Sequence, residues 1–273
     1  MKQRSAFRVL NGLAVAATLA VNALANILPI NGQNTGEIAN RFAVYFLPAG
    51  YVFSIWGVIY AGLIAYAIFQ ALPSQQTNPR LRRADAPFLL SNLGNAAWLL
   101  LWHYNQYAWS MLPITLLLVS LAWVYQALGT GRPAQPGEPP VSSAERWMAR
   151  LPFAIYLGWA SVAVIANATA VLDYVGWSGW GFSESTWAVI MLGVAALLGL
   201  VMSVRRGDAV FNLVLAWAFA GIGVRLAGGL QSAGQLAERG SVAQAAYLAA
   251  GAALLLAALA WFFRRRSAAR IAG

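Results

Sequence analysis

The sequence predicts an all-α membrane protein that crosses the bilayer eight times. Its 273 residues are 60% hydrophobic and 10% charged, whereas soluble domains contain about 45–50% apolar and about 25% charged residues. The apolar residues form long continuous runs, while the strands of a transmembrane β-barrel would alternate apolar and polar residues. The basic residues lie in short clusters between these runs, as in the loops of helical membrane proteins. Composition, run length and charge placement therefore indicate the same fold class.

Each predicted span is an apolar run close to the roughly 20 residues that a helix needs to cross the hydrocarbon core. The third run is the shortest. The eight runs are Val9–Leu28, Tyr51–Leu72, Pro87–His103, Tyr107–Ala127, Leu151–Leu172, Trp187–Val204, Ala209–Gly229 and Ala243–Phe263.

The distribution of basic residues predicts the orientation of the chain. Fifteen of its 18 Lys and Arg residues fall on the side that carries both termini in an eight-span arrangement. Because cytoplasmic loops are enriched in Lys and Arg, both termini are expected in the cytoplasm. We therefore predict a multi-pass protein of the cell inner membrane, in contact with lipid. The same placement accounts for the net charge of +10 without a nucleic-acid partner.

The reactive side chains that enzymes use are scarce in this chain. It has no Cys, and His103 and Lys2 are its only His and Lys. Thiolate or multi-His metal sites, Cys nucleophiles and buried Lys nucleophiles therefore lack their groups. All eight acidic residues lie in loops or at helix ends, so no span offers a central carboxylate for acid–base chemistry or a proton relay. We expect a protein that is not an enzyme, with neither a catalytic residue nor a metal site.

Aromatic and Asn side chains recur at helical spacing in three spans. Residues three or four positions apart lie on one helix face, and an Asn within a span is costly unless it bonds across helices or faces a wet or ligand-filled cavity. We therefore expect these faces to point inward, either as packing or as the lining of a pocket for a flat aromatic ligand. The stripes are Phe53, Trp56 and Tyr60 in the second span, Asn95, Trp98 and Trp102 in the third, and Trp159, Ala163 and Asn167 in the fifth.

Two ionisable side chains within or at the end of spans have two interpretations each. Arg225 lies toward the outer end of the seventh span, where it would reach the interface or bind an anionic ligand head-group. His103 ends the third span among aromatic residues, as an interfacial side chain or a haem ligand. Between the spans, the Pro- and Gly-rich stretch Gly129–Val141 predicts a flexible cytoplasmic linker, and the aromatic residues of Asp173–Thr186 suit the membrane interface.

Three stretches of the sequence resemble the TspO/MBR family, the tryptophan-rich sensory proteins that include translocator protein. The run FLPAGYVFSIWGVIYAG at Phe46–Gly62 is similar to the approach to the family's second helix, and NAAWLLLW at Asn95–Trp102 to its third-helix motif. YLGWASVAVIAN at Tyr156–Asn167 resembles the fifth-helix motif. The sequence departs from the family pattern at Ala49, where the family has the second of two prolines, and at Ile155, which replaces another proline.

The resemblance implies a TspO-like five-helix transmembrane bundle over residues 1–175, with a ligand pocket capped by the loop Pro29–Gly50. Residues 176–273 would add three further transmembrane helices. The pocket residues implied by resemblance and spacing are Phe53, Trp56, Tyr60, Asn95, Trp98, Trp102, Tyr156, Trp159 and Asn167. Members of the family bind porphyrins such as protoporphyrin IX and haem. The resemblance does not firmly imply a cofactor, but a bound porphyrin or haem would fit it.

The leading functional hypothesis is a membrane protein that binds a hydrophobic, tetrapyrrole-like or lipid-like ligand in a sensory or regulatory role. A transporter of such a ligand is the first alternative, because eight spans joined by a central linker permit it. A structural subunit of a membrane assembly is the second, since the Ala-rich last span allows close helix contact. Its partner would then be a second copy of the chain, in a homodimer, or another membrane protein.

Overall fold

The computed structural model describes residues 2–228 and 233–272, and helices joined by short connections make up most of these residues. No strand occurs within those ranges. The helices are α1 (Lys2–Ile27), α2 (Thr35–Ala39), α3 (Ile55–Ala71), α4 (Pro79–His103), α5 (Tyr107–Ala127), α6 (Ser143–Glu145), α7 (Leu151–Tyr174), α8 (Glu184–Arg206), α9 (Ala209–Ala227) and α10 (Ala233–Ala272). A π-helical turn at Arg146–Arg150 joins α6 to α7. The predicted all-α fold class is confirmed.

Seven helical stretches among the described residues are long and apolar enough to cross a membrane. They are Ala6–Ala25, Gly50–Ala71, Tyr107–Ala127, Ser143–Tyr174, Glu184–Arg206, Ala209–Ala227 and Ala237–Arg264. The third predicted span, Pro87–His103, lies within the 25-residue helix α4, which is not among the seven. Its polar residues, Asn92 and Asn95 among them, lower its hydropathy. The seven helices support a multi-pass membrane protein.

The chain forms two compact units. The first contains Met1–Arg41 and Ile55–Ala160, and the second contains Phe42–Ser54 and Ser161–Gly273. The short segment Phe42–Ser54 thus belongs with the C-terminal helices, although it lies between α2 and α3 in the sequence. The division of the sequence at residue 175 into two domains stays a prediction.

In the first unit, helix α1 buries its polar face and exposes its apolar face. Asn11, Thr18 and Asn22 are buried, whereas Leu10 and Leu13 are exposed. The buried residues bond to α4: Asn11 Nδ2 donates to the Asp85 carbonyl at 3.2 Å and Thr18 Oγ1 to the Asn92 carbonyl at 3.3 Å. A helix in water would bury the opposite face, so this arrangement is the one expected in lipid.

Two glycines let the helices of the first unit approach closely. A Cβ atom at Gly94 would lie 2.9 Å from the Pro113 carbonyl oxygen, so α4 and α5 touch through their backbones. A Cβ atom at Gly62 would lie 2.8 Å from Pro152 Cβ, which brings α3 against α7. Small residues at contacts of this kind are typical of helix packing in membranes.

A group of charged side chains lies at the start of α4. Arg80 is 1% exposed, and its guanidinium donates to both Glu145 carboxylate oxygens, at 2.7 and 2.6 Å. It also donates to Glu138 at 3.1 Å and to the Pro139 carbonyl at 3.0 Å. Arg150 donates to Glu145 and to the Gly129 carbonyl. The stretch predicted as a flexible linker, Gly129–Val141, is therefore bound to α4 and to the start of α7, because a buried guanidinium needs acceptors for its N–H groups.

Burial and charge affect the two central groups of this cluster in opposite directions. Desolvation lowers the pKa of Arg80, but the hydrogen bonds and charges of Glu145 and Glu138 outweigh it, and the pKa is raised. Desolvation raises the pKa of Glu138, but hydrogen bonds from Arg83, the Gln135 amide and Arg80 lower it to about 2. Both groups therefore carry their charges at neutral pH.

In the second unit, α8, α9 and α10 pack through glycines and one buried amide. Asn212 Nδ2 donates to the Gly199 carbonyl at 3.2 Å and to Ser203 Oγ at 2.9 Å, which binds α9 to α8. A Cβ atom at Gly223 would lie 2.6 Å from the ring of Tyr247, so α10 fits closely against α9.

Candidate ligand-binding site

Trp56 on α3 is the centre of an aromatic cluster in the first unit. Its ring centroid lies 6.2 Å from that of Trp98 on α4 and 6.0 and 6.2 Å from those of Tyr156 and Trp159 on α7. Tyr60, one turn along α3, is 5.7 Å away. These separations are typical of favourable aromatic pairs. Three helices thus contribute rings to one cluster.

Four rings of this cluster form a near-parallel series. Tyr60 and Trp56 are inclined by 25°, Trp56 and Trp98 by 22°, and Trp98 and Trp102 by 31°. Tyr156 and Trp159 instead meet Trp56 edge-on, at 74° and 86°. The series follows from spacing, because residues four positions apart on α3 and on α4 lie one above the other.

An amide network joins the phenols of the cluster. Tyr60 OH donates to Asn22 Oδ1 at 2.6 Å, and Asn22 Nδ2 donates to Asn95 Oδ1 at 2.8 Å. Asn95 Nδ2 in turn donates to Tyr156 OH at 2.9 Å. The network connects α1, α3, α4 and α7 through neutral groups. It satisfies the polar atoms that would otherwise be costly in an apolar interior.

The residues of the cluster differ in their exposure. Trp159 and Tyr156 are 2% exposed and Asn95 is fully buried, whereas Trp56 and Tyr60 are half-buried. The accessible part is therefore the pair of stacked rings on α3. A molecule that reaches the cluster would meet these two rings first.

Seven of the nine residues predicted from the sequence belong to this connected cluster. They are Trp56, Tyr60, Asn95, Trp98, Trp102, Tyr156 and Trp159. The other two, Phe53 and Asn167, belong to the second unit, where Phe53 is half-buried and Asn167 is buried. Whether any of the nine contacts a ligand stays a prediction.

Sequence reasoning missed the part that Asn22 takes in the site. Asn22 lies four residues after Thr18 and eleven after Asn11, which is close to three helical turns, so all three share one face of α1. That recurrence of polar residues within an apolar helix was the available signal. What the spacing could not show is that Asn22 bonds to two other helices, at Tyr60 and Asn95.

His103 is fixed by the backbone and side chains of the loop that follows α1. Its Nδ1 lies 3.3 Å from the Ile30 carbonyl oxygen and its Nε2 lies 3.1 Å from Thr35 Oγ1. Gln33 and Asn31 donate to the His103 carbonyl. Both ring nitrogens are thus occupied, which favours a structural role over the haem-ligand interpretation. The loop is bound to the C-terminal end of α4.

Arg225 also serves backbone groups. In the second unit its Nη1 donates to the Val44 carbonyl at 2.9 Å and lies 3.4 Å from the Leu47 carbonyl oxygen. These contacts account for a cation near the end of a span without an anionic ligand. No group of three or more metal-ligating side chains occurs in the part of the chain that the structure describes.

A comparison with family models places this architecture among known proteins. A model described as TSPO-like protein matches residues 8–261. The match therefore includes the three C-terminal helices, which carry none of the motifs behind the resemblance in the sequence. The comparisons with curated proteins and with solved structures gave no match.

Proposed function

The chain belongs to the TSPO-like protein family, and from this premise we propose that it binds a flat, tetrapyrrole-like ligand at the aromatic cluster around Trp56. Family membership supports a membrane protein that binds hydrophobic ligands and is not an enzyme. The tetrapyrrole, the site and a sensory or regulatory role are the further content of the proposal.

The near-parallel ring series is the observation that carries the proposal. Successive rings of the series Tyr60, Trp56, Trp98 and Trp102 are inclined to each other by 25°, 22° and 31°, so neighbouring rings offer similar directions for stacking. Planar π-systems gain from offset stacking on such rings as well as from the apolar area that they bury. A planar macrocycle uses this geometry better than a flexible acyl chain, which has no plane to align.

The polar network suits an uncharged ligand core. Asn22, Asn95, Tyr60 and Tyr156 are neutral, and their hydrogen bonds fix the orientation of their amides and hydroxyls. A few placed polar groups in a mostly aromatic lining are typical of small-molecule sites. The ionised substituents of a porphyrin would therefore leave the cluster on its half-buried side, past the ring of Tyr60.

The test is a titration of detergent-purified protein with protoporphyrin IX, followed by quenching of Trp fluorescence. The wild type is expected to show saturable quenching, and Trp98→Ala to bind more weakly because it removes one of the two inner rings of the series. Trp261→Ala is the matched control, since Trp261 is exposed on α10 in the second unit. If the wild type does not saturate, or if both variants bind as the wild type does, the proposal is wrong.

Transport of the same ligand is the alternative that this titration leaves open. Uptake of protoporphyrin IX into proteoliposomes that requires the protein would favour transport, and binding without uptake would favour a sensory role. Stoichiometric co-purification of a membrane protein, or of a second copy, would favour a structural subunit.

The proposed orientation has its own test. We propose an inner-membrane protein with both termini in the cytoplasm, on the basis of the asymmetric Lys and Arg distribution. Reporter fusions at each terminus are expected to give the cytoplasmic signal. A periplasmic signal from either terminus would contradict that placement.

A further inference from the structure

The imidazole of His103 connects the C-terminal end of α4 to the loop that follows α1. The loop contains a 3₁₀ turn at Ile30–Gly32 and the short helix α2, and like α4 it lies in the first unit. The ring is fully buried. Its Nδ1 contacts the Ile30 carbonyl oxygen, and its Nε2 contacts Thr35 Oγ1 in the first turn of α2. One side chain thus holds both parts of residues 30–39.

The backbone of His103 holds the same residues. Its carbonyl accepts from Asn31 Nδ2 at 3.1 Å and from Gln33 Nε2. Asn31 has a φ of 56°, in the left-handed region that Asn tolerates better than most side chains. The side-chain and main-chain contacts of residues 30–39 therefore converge on one residue of α4.

The two ring contacts assign the tautomer of His103. A backbone carbonyl accepts hydrogen bonds and cannot donate them, so Nδ1 carries the hydrogen and donates it to the Ile30 carbonyl. In a neutral ring Nε2 is then an acceptor, and the Thr35 hydroxyl donates to it. The observed arrangement is therefore the one that a neutral imidazole makes.

A second proton on the ring would work against this arrangement. Protonated Nε2 can no longer accept from the Thr35 hydroxyl. Both ring partners are oxygen atoms of uncharged groups, and a buried charge without an opposite charge beside it is costly. Protonation therefore favours a state in which water reaches the imidazole, and residues 30–39 must move away from α4 to admit it.

The charged and titratable side chains of the neighbouring elements have other contacts. On α2, Glu37 is exposed, and its carboxylate accepts from the N-cap amide of its own helix at 3.0 Å. Arg41, which follows α2, and Tyr107 on α5 both donate to Asn105 Oδ1, at 3.3 and 2.6 Å. Tyr104, at the C-cap of α4, is exposed. Glu37 is thus the neighbouring acid whose titration has to be separated from that of the ring.

We infer that His103 is a pH-sensitive latch, whose neutral imidazole holds residues 30–39 against α4 and whose protonation releases them. His is the side chain that ordinarily changes its charge between about pH 5 and 8, and His103 is the only His in the chain. An accessible imidazole has a pKa of about 6.5. The latch is therefore closed above about pH 6.5 and opens as the pH falls below it.

The compartment whose pH acts on the latch follows from the proposed orientation. With both termini in the cytoplasm, the loop after α1 lies on the opposite side of the membrane, so the latch responds to the pH outside the cytoplasm. This part of the inference rests on the orientation. The coupling between the ring and residues 30–39 does not depend on it, nor on the proposed ligand.

The experiment measures amide hydrogen exchange of residues 30–39 in the full-length protein, in detergent micelles. Protection factors are compared at about pH 7.5 and about pH 5.5, because they correct for the intrinsic pH dependence of exchange. If the closed state takes up no proton, the wild type should lose protection about tenfold between these two values. Residues 114–121 of α5 serve as the internal reference and should keep their protection.

Two variants assign the change to the imidazole. His103→Gln removes the titrating ring, so its protection at residues 30–39 should be the same at both pH values. Glu37→Gln is the matched control, because Gln can replace Glu in the capping box of α2 but does not titrate; it should lose protection as the wild type does. A loss that persists in His103→Gln, or that disappears in Glu37→Gln, would overturn the inference.

The wild type alone provides a second test, which decides the matter if His103→Gln does not fold. With isotope-labelled His, the magnetic resonance signals of the ring nitrogens come from one residue. They should show the hydrogen on Nδ1 at about pH 7.5, and protonation should follow the same pH course as the loss of protection. A hydrogen on Nε2 instead, or unchanged protection at about pH 5.5 whether or not the ring titrates, would show that His103 is not a latch.

Discussion

The amide network of the candidate site gives a sharp prediction about stability. Replacing Asn95 with Leu removes the hydrogen bonds to Asn22 and Tyr156, at 2.8 and 2.9 Å, while it keeps a side chain of similar size. Hydrogen bonds between membrane helices contribute about 0.6 kcal/mol on average, and leaving buried partners unsatisfied adds to the loss. We therefore expect Asn95→Leu to lower the free energy of unfolding by about 1–2 kcal/mol.

A double-mutant cycle tests whether the network is the cause. Asn22→Leu, Asn95→Leu and the double variant are compared by reversible unfolding in mixed detergent micelles. The two substitutions are expected to be non-additive by about 0.6 kcal/mol, because they share one hydrogen bond.

Asn92 provides the control for this cycle. Its side chain donates to the Phe88 carbonyl of its own helix, so Asn92→Leu and Asn22→Leu should be additive. Additivity in the Asn22–Asn95 cycle, or equal coupling in both cycles, would refute the network as described.

Two further predictions concern helix contact and pH. Gly94→Ala should destabilise the protein by about 1–3 kcal/mol, because its Cβ atom would lie 2.9 Å from a backbone oxygen of α5. Gly12→Ala, where nothing lies within 4 Å, should instead stabilise α1 by up to about 1 kcal/mol; thermal melting of both variants checks the opposite signs, and equal effects would contradict the close contact. The pKa of Glu138 falls from an ordinary value of 4.5 to about 2 in the folded protein, so its contribution to stability is complete above about pH 4.5 and is lost as the pH falls toward 2. Melting temperatures of the wild type and Glu138→Gln should therefore converge over that interval, and a constant difference between them would show that Glu138 is not the responsible group.

The helices could be predicted from the sequence because the membrane fixes their length and composition. The predicted span Tyr107–Ala127 coincides with α5, and the predicted span Tyr51–Leu72 differs by one residue at each end from Gly50–Ala71. Among the described helices that contain a predicted span, α4 departs from this rule in composition, since the same Asn residues that serve the interior make it less apolar. Spacing also predicted that Trp56 and Tyr60 share one face of α3 and that Trp98 and Trp102 share one face of α4. These two faces meet in the structure.

Contacts between distant parts of the chain could not be predicted in the same way. The stretch around Glu138 has the composition of a flexible linker, and its hydrogen bonds from the buried Arg80 and from Arg150 make it a bound one. Arg225 gave no sign of its partners, because they are main-chain carbonyls, which every residue possesses. A single sequence identifies the residues that need partners, but the partners follow from how the helices pack.

The extent of the family match has a physical counterpart in these contacts. The motif Phe46–Gly62, which carries the resemblance at the second helix, has Val52 buried against Gly221 and its Val52 carbonyl bonded to Trp217. The motif is therefore incomplete without α9, whose residues lie far beyond it in the sequence. A match that extends to residue 261 includes both halves of this contact. The C-terminal helices are accordingly part of what holds the segment Phe42–Ser54 in the second unit.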